Sequence, residues 1–145
     1  MSANDWISYD FAVLRVVPHV HLGAFVPVGV VLHARTANFL GLRVLTERAS
    51  LRSIAPGVDI ELLARYLRSC QAIAEGNPDA GPLALAPPSE RFHWLTAPRS
   101  DVIQPSPIHS GLARDPAREL EELFGKYVEI QGSGGRVQGS GTTSE

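Results

Sequence analysis

The sequence predicts an α+β fold: an antiparallel sheet of three or four strands with two main helices packed on it. Three observations predict it. Tyr9–Val17, Phe25–His33 and Phe39–Leu45 are short runs rich in Val, Leu and Phe, joined by turn-like segments. After Asp59 the apolar period changes from that of strands to that of a helix. The helical period returns over residues 115–129. Strand runs followed by helices favour this class over a parallel α/β sheet.

The first run, Tyr9 to Val17, is apolar at both parities and ends at Pro18. A strand of that kind is covered on both faces. The second, Phe25 to His33, carries Val26, Val28, Val30 and Val31. Pro27 lies near its start, where a missing N–H is tolerated. The connection His19-Val20-His21-Leu22-Gly23 has the length of a hairpin loop. Arg35-Thr36-Ala37-Asn38 reads as a second tight turn, with Asn38 suited to a left-handed conformation. In the third run Phe39, Gly41, Arg43 and Leu45 fall on one face, and Leu40, Leu42 and Val44 on the other. Short connections make the three strands an antiparallel meander.

Asp59 is a natural N-cap, and Glu61 complements the helix dipole in the first turn. Leu63, Tyr66, Leu67, Cys70 and Ala74 then mark one helical face. Glu61 and Arg65 have the spacing of a surface ion pair. Gly76-Asn77-Pro78 stops the helix. Residues 76–88 hold four Pro and two Gly and read as a loop. Ser89 is placed to cap a short helix through Leu95, and a short strand fits that stretch equally well. Asp115 caps the last helix, Pro116 takes its first position, and Glu119, Glu121 and Glu122 follow. Its apolar stripe is Leu120, Leu123, Phe124, Tyr127 and Val128. Residues 1–130 form a single domain; residues 131–145, rich in Gly, Ser and Thr, are expected to be a disordered tail.

Composition excludes some functions and leaves others open. The chain has 145 residues and a formal charge of −2, so it has no general pull toward nucleic acid or an acidic membrane. A local basic patch, and with it a nucleic-acid contact, stays open. The single Cys70 cannot form an intrachain disulfide, and the first residues lack the pattern of a signal peptide. The longest apolar run, Ala24 to Leu32, is far shorter than a membrane helix. These features predict a cytoplasmic protein.

The densest chemistry lies between the two helical patterns. Arg91-Phe92-His93-Trp94 leads to Pro98-Arg99-Ser100, and Ile108-His109-Ser110-Gly111 follows. Arg91, Trp94, Arg99, Ser100 and His109 are the candidate ligand-binding residues. Arg forks match phosphate or carboxylate, Ser completes such sites, and Trp94 and Phe92 offer stacking surfaces. The same residues would equally brace a Pro-rich loop, whose backbone groups need side-chain partners. Arg15, inside the first strand, needs a partner too; Asp10 and Glu47 are candidates, and a reach toward the pocket of Arg99 is the alternative.

Other constellations are weak. His19 and His21 form an H-x-H pair that suits a metal in a strand, but no acidic or Cys ligand stands near them in sequence. No metal and no cofactor is therefore expected. Cys70 sits on the apolar face of its helix and reads as a core residue. The chain has no phosphate-binding glycine loop, no nucleophile elbow and no zinc-protease motif, and no catalytic residue is assigned.

Several segments together resemble a bacterial family, domain of unknown function 3037. They are Tyr9-Asp10-Phe11-Ala12-Val13-Leu14-Arg15-Val16-Val17-Pro18, Gly23-Ala24-Phe25-Val26-Pro27-Val28-Gly29-Val30-Val31-Leu32, and the stretch from Arg91-Phe92 through Pro98-Arg99-Ser100 to His109-Ser110-Gly111 and the last helix. The resemblance spans residues 8–129. It implies a small stand-alone protein and brings no activity with it. It also implies a protein partner, with HipA-like kinases as the associated class. The expected function is thus a non-enzymatic binding or accessory protein. The alternative is an enzyme or binding protein for a phosphate-bearing or nucleic-acid substrate, served by the Arg/Ser/His loop.

Overall fold

A computed structural model describes residues 5–17, 25–100 and 102–129. Its framework is an antiparallel sheet built around one long strand, β1 (Ile7–Val16). On one side β1 pairs with β2 (Val26–Ala34), which pairs in turn with β3 (Phe39–Val44). This is the expected meander. Its second turn is a single 3-10 turn, Arg35–Ala37, closed by Asn38 at φ 52°. Asn is one of the few residues that adopt this left-handed conformation readily.

The other side of β1 holds two more strands. β4 (Ile103–Pro105) pairs with its C-terminal end and β5 (His109–Ala113) with its N-terminal end. Among the described residues the sheet therefore has five strands rather than three or four. β4 and β5, of three and five residues, are too short to show a strand pattern in sequence. They form one interrupted edge. Leu14 pairs with Pro105 and Phe11 with His109, so three steps along β1 face four along the edge. The surplus residue is a bulge. There Ser106 donates its N–H to the Val13 carbonyl at 2.8 Å, and its hydroxyl accepts the Val13 N–H at 2.9 Å. A side chain thus replaces a missing backbone acceptor.

Helices cover both faces. After β3 come α1 (Arg48–Ile54), α2 (Ile60–Glu75) and α3 (Pro88–Leu95). They pack on Ala12, Leu14, Val16, Val31, Leu42 and Val44. α4 (Pro116–Phe124), extended by a π-turn over Gly125–Glu129, covers Tyr9, Phe11, Val13, Val30 and Leu32 on the opposite face. The two main helices are those expected, but they lie on opposite sides of the sheet. That arrangement explains why β1 is apolar at both parities.

Local rules explain most of the elements. Asp59 accepts the Leu62 N–H and Asp115 the Arg118 N–H, as N-caps should. Gly76 ends α2 at φ 73°. Residues 88–95 resolve to a helix, with Pro87 at the cap position; Ser89 does not cap it. α1 has little apolar periodicity beyond buried Leu51, and the sequence reading has no helix there. Glu61 pairs with Arg48 of α1 at 2.7 Å, not with Arg65. Arg15 pairs with neither Asp10 nor Glu47. It donates to the carbonyls of Gln104 and Pro105, and its Cζ stands 4.1 Å from the centre of the Phe25 ring. No described helix is long and apolar enough to cross a membrane. The His19/His21 pair and the tail 131–145 lie outside the described residues.

Candidate functional site

The polar block resolves into separate tasks. Arg91 points back over the end of α2. Its Nη1 donates to the carbonyls of Ile73 and Ala74 at 3.1 and 2.9 Å, and its Nε donates to Ala86 at 2.8 Å. A helix end leaves its last carbonyls without intrahelical partners, and a cation there also complements the dipole. Arg91 therefore ties α2, the Pro-rich loop and α3 together. Ser100 folds its own turn: its hydroxyl accepts the N–H groups of Val102 and Ile103 at 3.0 and 3.3 Å. That turn delivers the chain into β4.

Trp94 and Arg99 form a stacked pair. Trp94 is half-buried against the core, and the Arg99 Cζ lies 4.6 Å from its ring centre. The Arg99 Nε donates to the Trp94 carbonyl at 3.2 Å. Stacking and one hydrogen bond hold the exposed guanidinium in place.

Beside this pair runs a groove of about 300 Å³ between the start of α2 and residues 99, 100, 102 and 103. Val58, Leu62, Leu63, Tyr66, Val102 and Ile103 supply its apolar surface, and Asp59, Arg99 and Ser100 its polar one. Leu62 is 50% exposed, unusual for a Leu in the first turn of a helix whose other face is core. Burial pushes the Tyr66 hydroxyl up to about 12, assisted by its contact with Cys70. Burial likewise pushes the Cys70 thiol up to about 11, so it is a neutral core group and not a thiolate. Of these residues Arg99 and Ser100 are legible in the sequence as site candidates; Leu62, which lies off the apolar stripe of α2, is not.

His109 is not part of this groove. It sits on β5 with its ring 5.4 Å from Phe11, within the layer covered by α4. Trp94, and with it Arg99, belongs to the opposite layer. The five candidates therefore do not converge: Trp94, Arg99 and Ser100 stand together, Arg91 braces α2, and His109 faces away. Arg15 also shares no contact with Arg99.

One polar row was not singled out from the sequence. Ser110, Asp10 and His33 stand side by side on three neighbouring strands. The Ser110 hydroxyl donates to Asp10 at 2.6 Å. His33 is buried, with its ring 5.4 Å from Phe92. Burial holds its pKa below the usual value; Asp10 opposes this, and Arg35 and Arg91 add to it. The aspartate is in the middle, so no histidine activates the serine as it would in a hydrolytic triad. Strand register, visible only in three dimensions, assembles this row. Among the described residues, no three His, Cys, Asp or Glu side chains cluster to hold a metal ion.

The family model described as a protein of unknown function (DUF3037) matches residues 11–128. No curated protein and no solved structure matches the chain.

Proposed function

The chain belongs to the DUF3037 family, and from that premise we propose that it is a non-enzymatic binding protein acting through protein–protein contacts in the cytoplasm. The groove beside Arg99 is the observation that carries this reading. It combines exposed apolar surface from Leu62 with a guanidinium fixed by Trp94. Apolar anchors beside a placed Arg are features of protein-binding surfaces. A partner would seat an apolar side chain on Leu62 and Tyr66 and set a carboxylate against Arg99. The family resemblance makes a HipA-like kinase the first partner to test.

The reading as a site for a phosphate-bearing or nucleic-acid substrate has less support. Arg91 and Ser100 spend hydrogen bonds on backbone groups, and His109 lies in the other layer. The test is affinity capture from the native host, followed by direct titration of the purified partner. Wild-type protein should bind it, whereas Leu62→Asp and Arg99→Glu should each weaken binding at least about tenfold, a loss of about 1.4 kcal/mol. Equal affinity for wild type and both folded variants would rule the groove out.

A further inference from the structure

We propose that the chain pairs with a second copy of itself through the free edge of β5, giving a two-fold dimer with one continuous sheet. Among the described residues, β5 has β1 on one side and no strand on the other. Hydrogen-bond direction alternates along a strand, so the outward groups can be identified. Val17 and Val13 both direct their N–H toward the β4 side. Alternation extends this to Phe11, Tyr9 and Ile7, whose partners are His109, Gly111 and Ala113. The backbone N–H and C=O of Ser110 and Leu112 therefore point outward, away from β1.

Free edges are normally blunted by charge, proline, a bulge or a covering element. The other edges of this sheet are treated in that way. On β3, Arg43 bridges to Glu121 at 2.9 Å. β4 ends at Pro105, followed by the Ser106 bulge and Pro107. Residues 108–113 carry no proline and no Asp, Glu, Lys or Arg. Instead, Ile108 and Leu112 are 52% and 61% exposed there. Trp6, also exposed, stacks with Arg114, whose Cζ lies 4.7 Å from its ring centre.

The occupant that fits is the strand itself. An antiparallel pair centred on Gly111 sets Ser110 opposite Leu112 of the second copy, and the reverse, for about four new backbone hydrogen bonds. Gly111 meets Gly111 at the closest Cα approach, where neither brings a side chain. Arg114 falls opposite Ile108 and not opposite its own copy, so the pairing brings no like charges face to face. A foreign peptide would be selected by charge or by side-chain pockets, and residues 108–113 carry no Asp, Glu, Lys or Arg to select one by charge.

Light scattering coupled to size exclusion, over a series of chain concentrations, tests the dimer. Wild type should approach twice the 15.6 kDa of one chain as concentration rises. Leu112→Pro removes an outward N–H and leaves the bonds to β1 in place. Leu112→Lys puts a charge on an exposed position of the edge. Each should stay at the mass of one chain with an unchanged circular dichroism spectrum, whereas Leu85→Lys, an exposed site elsewhere, should dimerise like wild type. A wild-type mass that stays at one chain up to about 1 mM would overturn the proposal. So would a dimer that persists in both Leu112 variants.

Discussion

The guanidinium of Arg91 donates to the carbonyl of Ala74 at 2.9 Å, 17 positions earlier in the chain. This contact joins α3 to the last turn of α2, and two further carbonyls share the same side chain. Truncation at Arg91 takes this donor from the carbonyls of Ala74 and Ala86, whereas the Ile73 carbonyl keeps the Gly76 N–H at 3.1 Å. Arg91→Ala should therefore destabilise the fold by about 1–3 kcal/mol. Arg91→Lys should not restore it, because one ammonium cannot span the three acceptors. Arg99→Ala, at an exposed position with a single hydrogen bond, should cost less than about 1 kcal/mol. Urea denaturation of the three variants checks the order; an Arg99 variant weaker than the Arg91 variant would show that Arg99, not Arg91, is the structural brace.

Gly111 lies under the ring of Tyr9. A Cβ added there would stand 2.6 Å from the Tyr9 hydroxyl oxygen and 2.7 Å from its Cζ. Tyr9 is buried and donates to Glu119 at 2.7 Å, so its ring has little room to move. Gly111→Ala should cost about 1–3 kcal/mol through overpacking. The combination with Tyr9→Ala should cost less than the sum of the two single changes. Strict additivity in that double-mutant cycle would show that the ring is not the obstacle.

Leu123 is 8% exposed on the α4 face of the sheet. Leu123→Ala should cost about 2–5 kcal/mol, as removal of a buried Leu side chain does. An unchanged denaturation midpoint would mean that α4 does not pack as described.

His33 makes stability depend on pH. Burial lowers its folded pKa below the 6.5 of a free histidine, so the unfolded chain takes up the proton first. The stability linked to His33 is fully present above pH 6.5 and declines as pH falls through the folded pKa. His33→Gln removes this titration. Melting temperatures measured from pH 8 to about pH 5 should fall more steeply for wild type than for the variant. Parallel curves would show that another group governs acid stability.

The sheet meander, both long helices and their caps were legible because each depends on nearby residues. Asp59, Gly76, Asp115 and Pro116 act within one helical turn, and Asn38 within one tight turn. α1 was missed because its packing rests chiefly on Leu51. β4 and β5 were missed because β1, about 90 to 100 positions away, determines their pairing. The same distance explains the site. Clustering in sequence placed Arg91, Arg99 and His109 together, yet alternation along β5 sends His109 to the layer opposite Trp94. The groove depends on Leu62, which only the approach of Arg99, Ser100, Val102 and Ile103 turns into a lining residue.

The interrupted edge has a consequence for how the polypeptide is made. Asp10 and Ser110 are 100 positions apart, and three helices lie between their strands. Closing so long a loop is slow compared with forming a neighbouring hairpin. During synthesis β1 and β2 can meet early, but one flank of β1 stays incompletely paired until residue 113 has left the ribosome. Throughout that interval the nascent chain exposes a long apolar strand edge, open to premature association. A translational pause before residue 113 has emerged would lengthen the exposure, whereas a pause after its emergence would not.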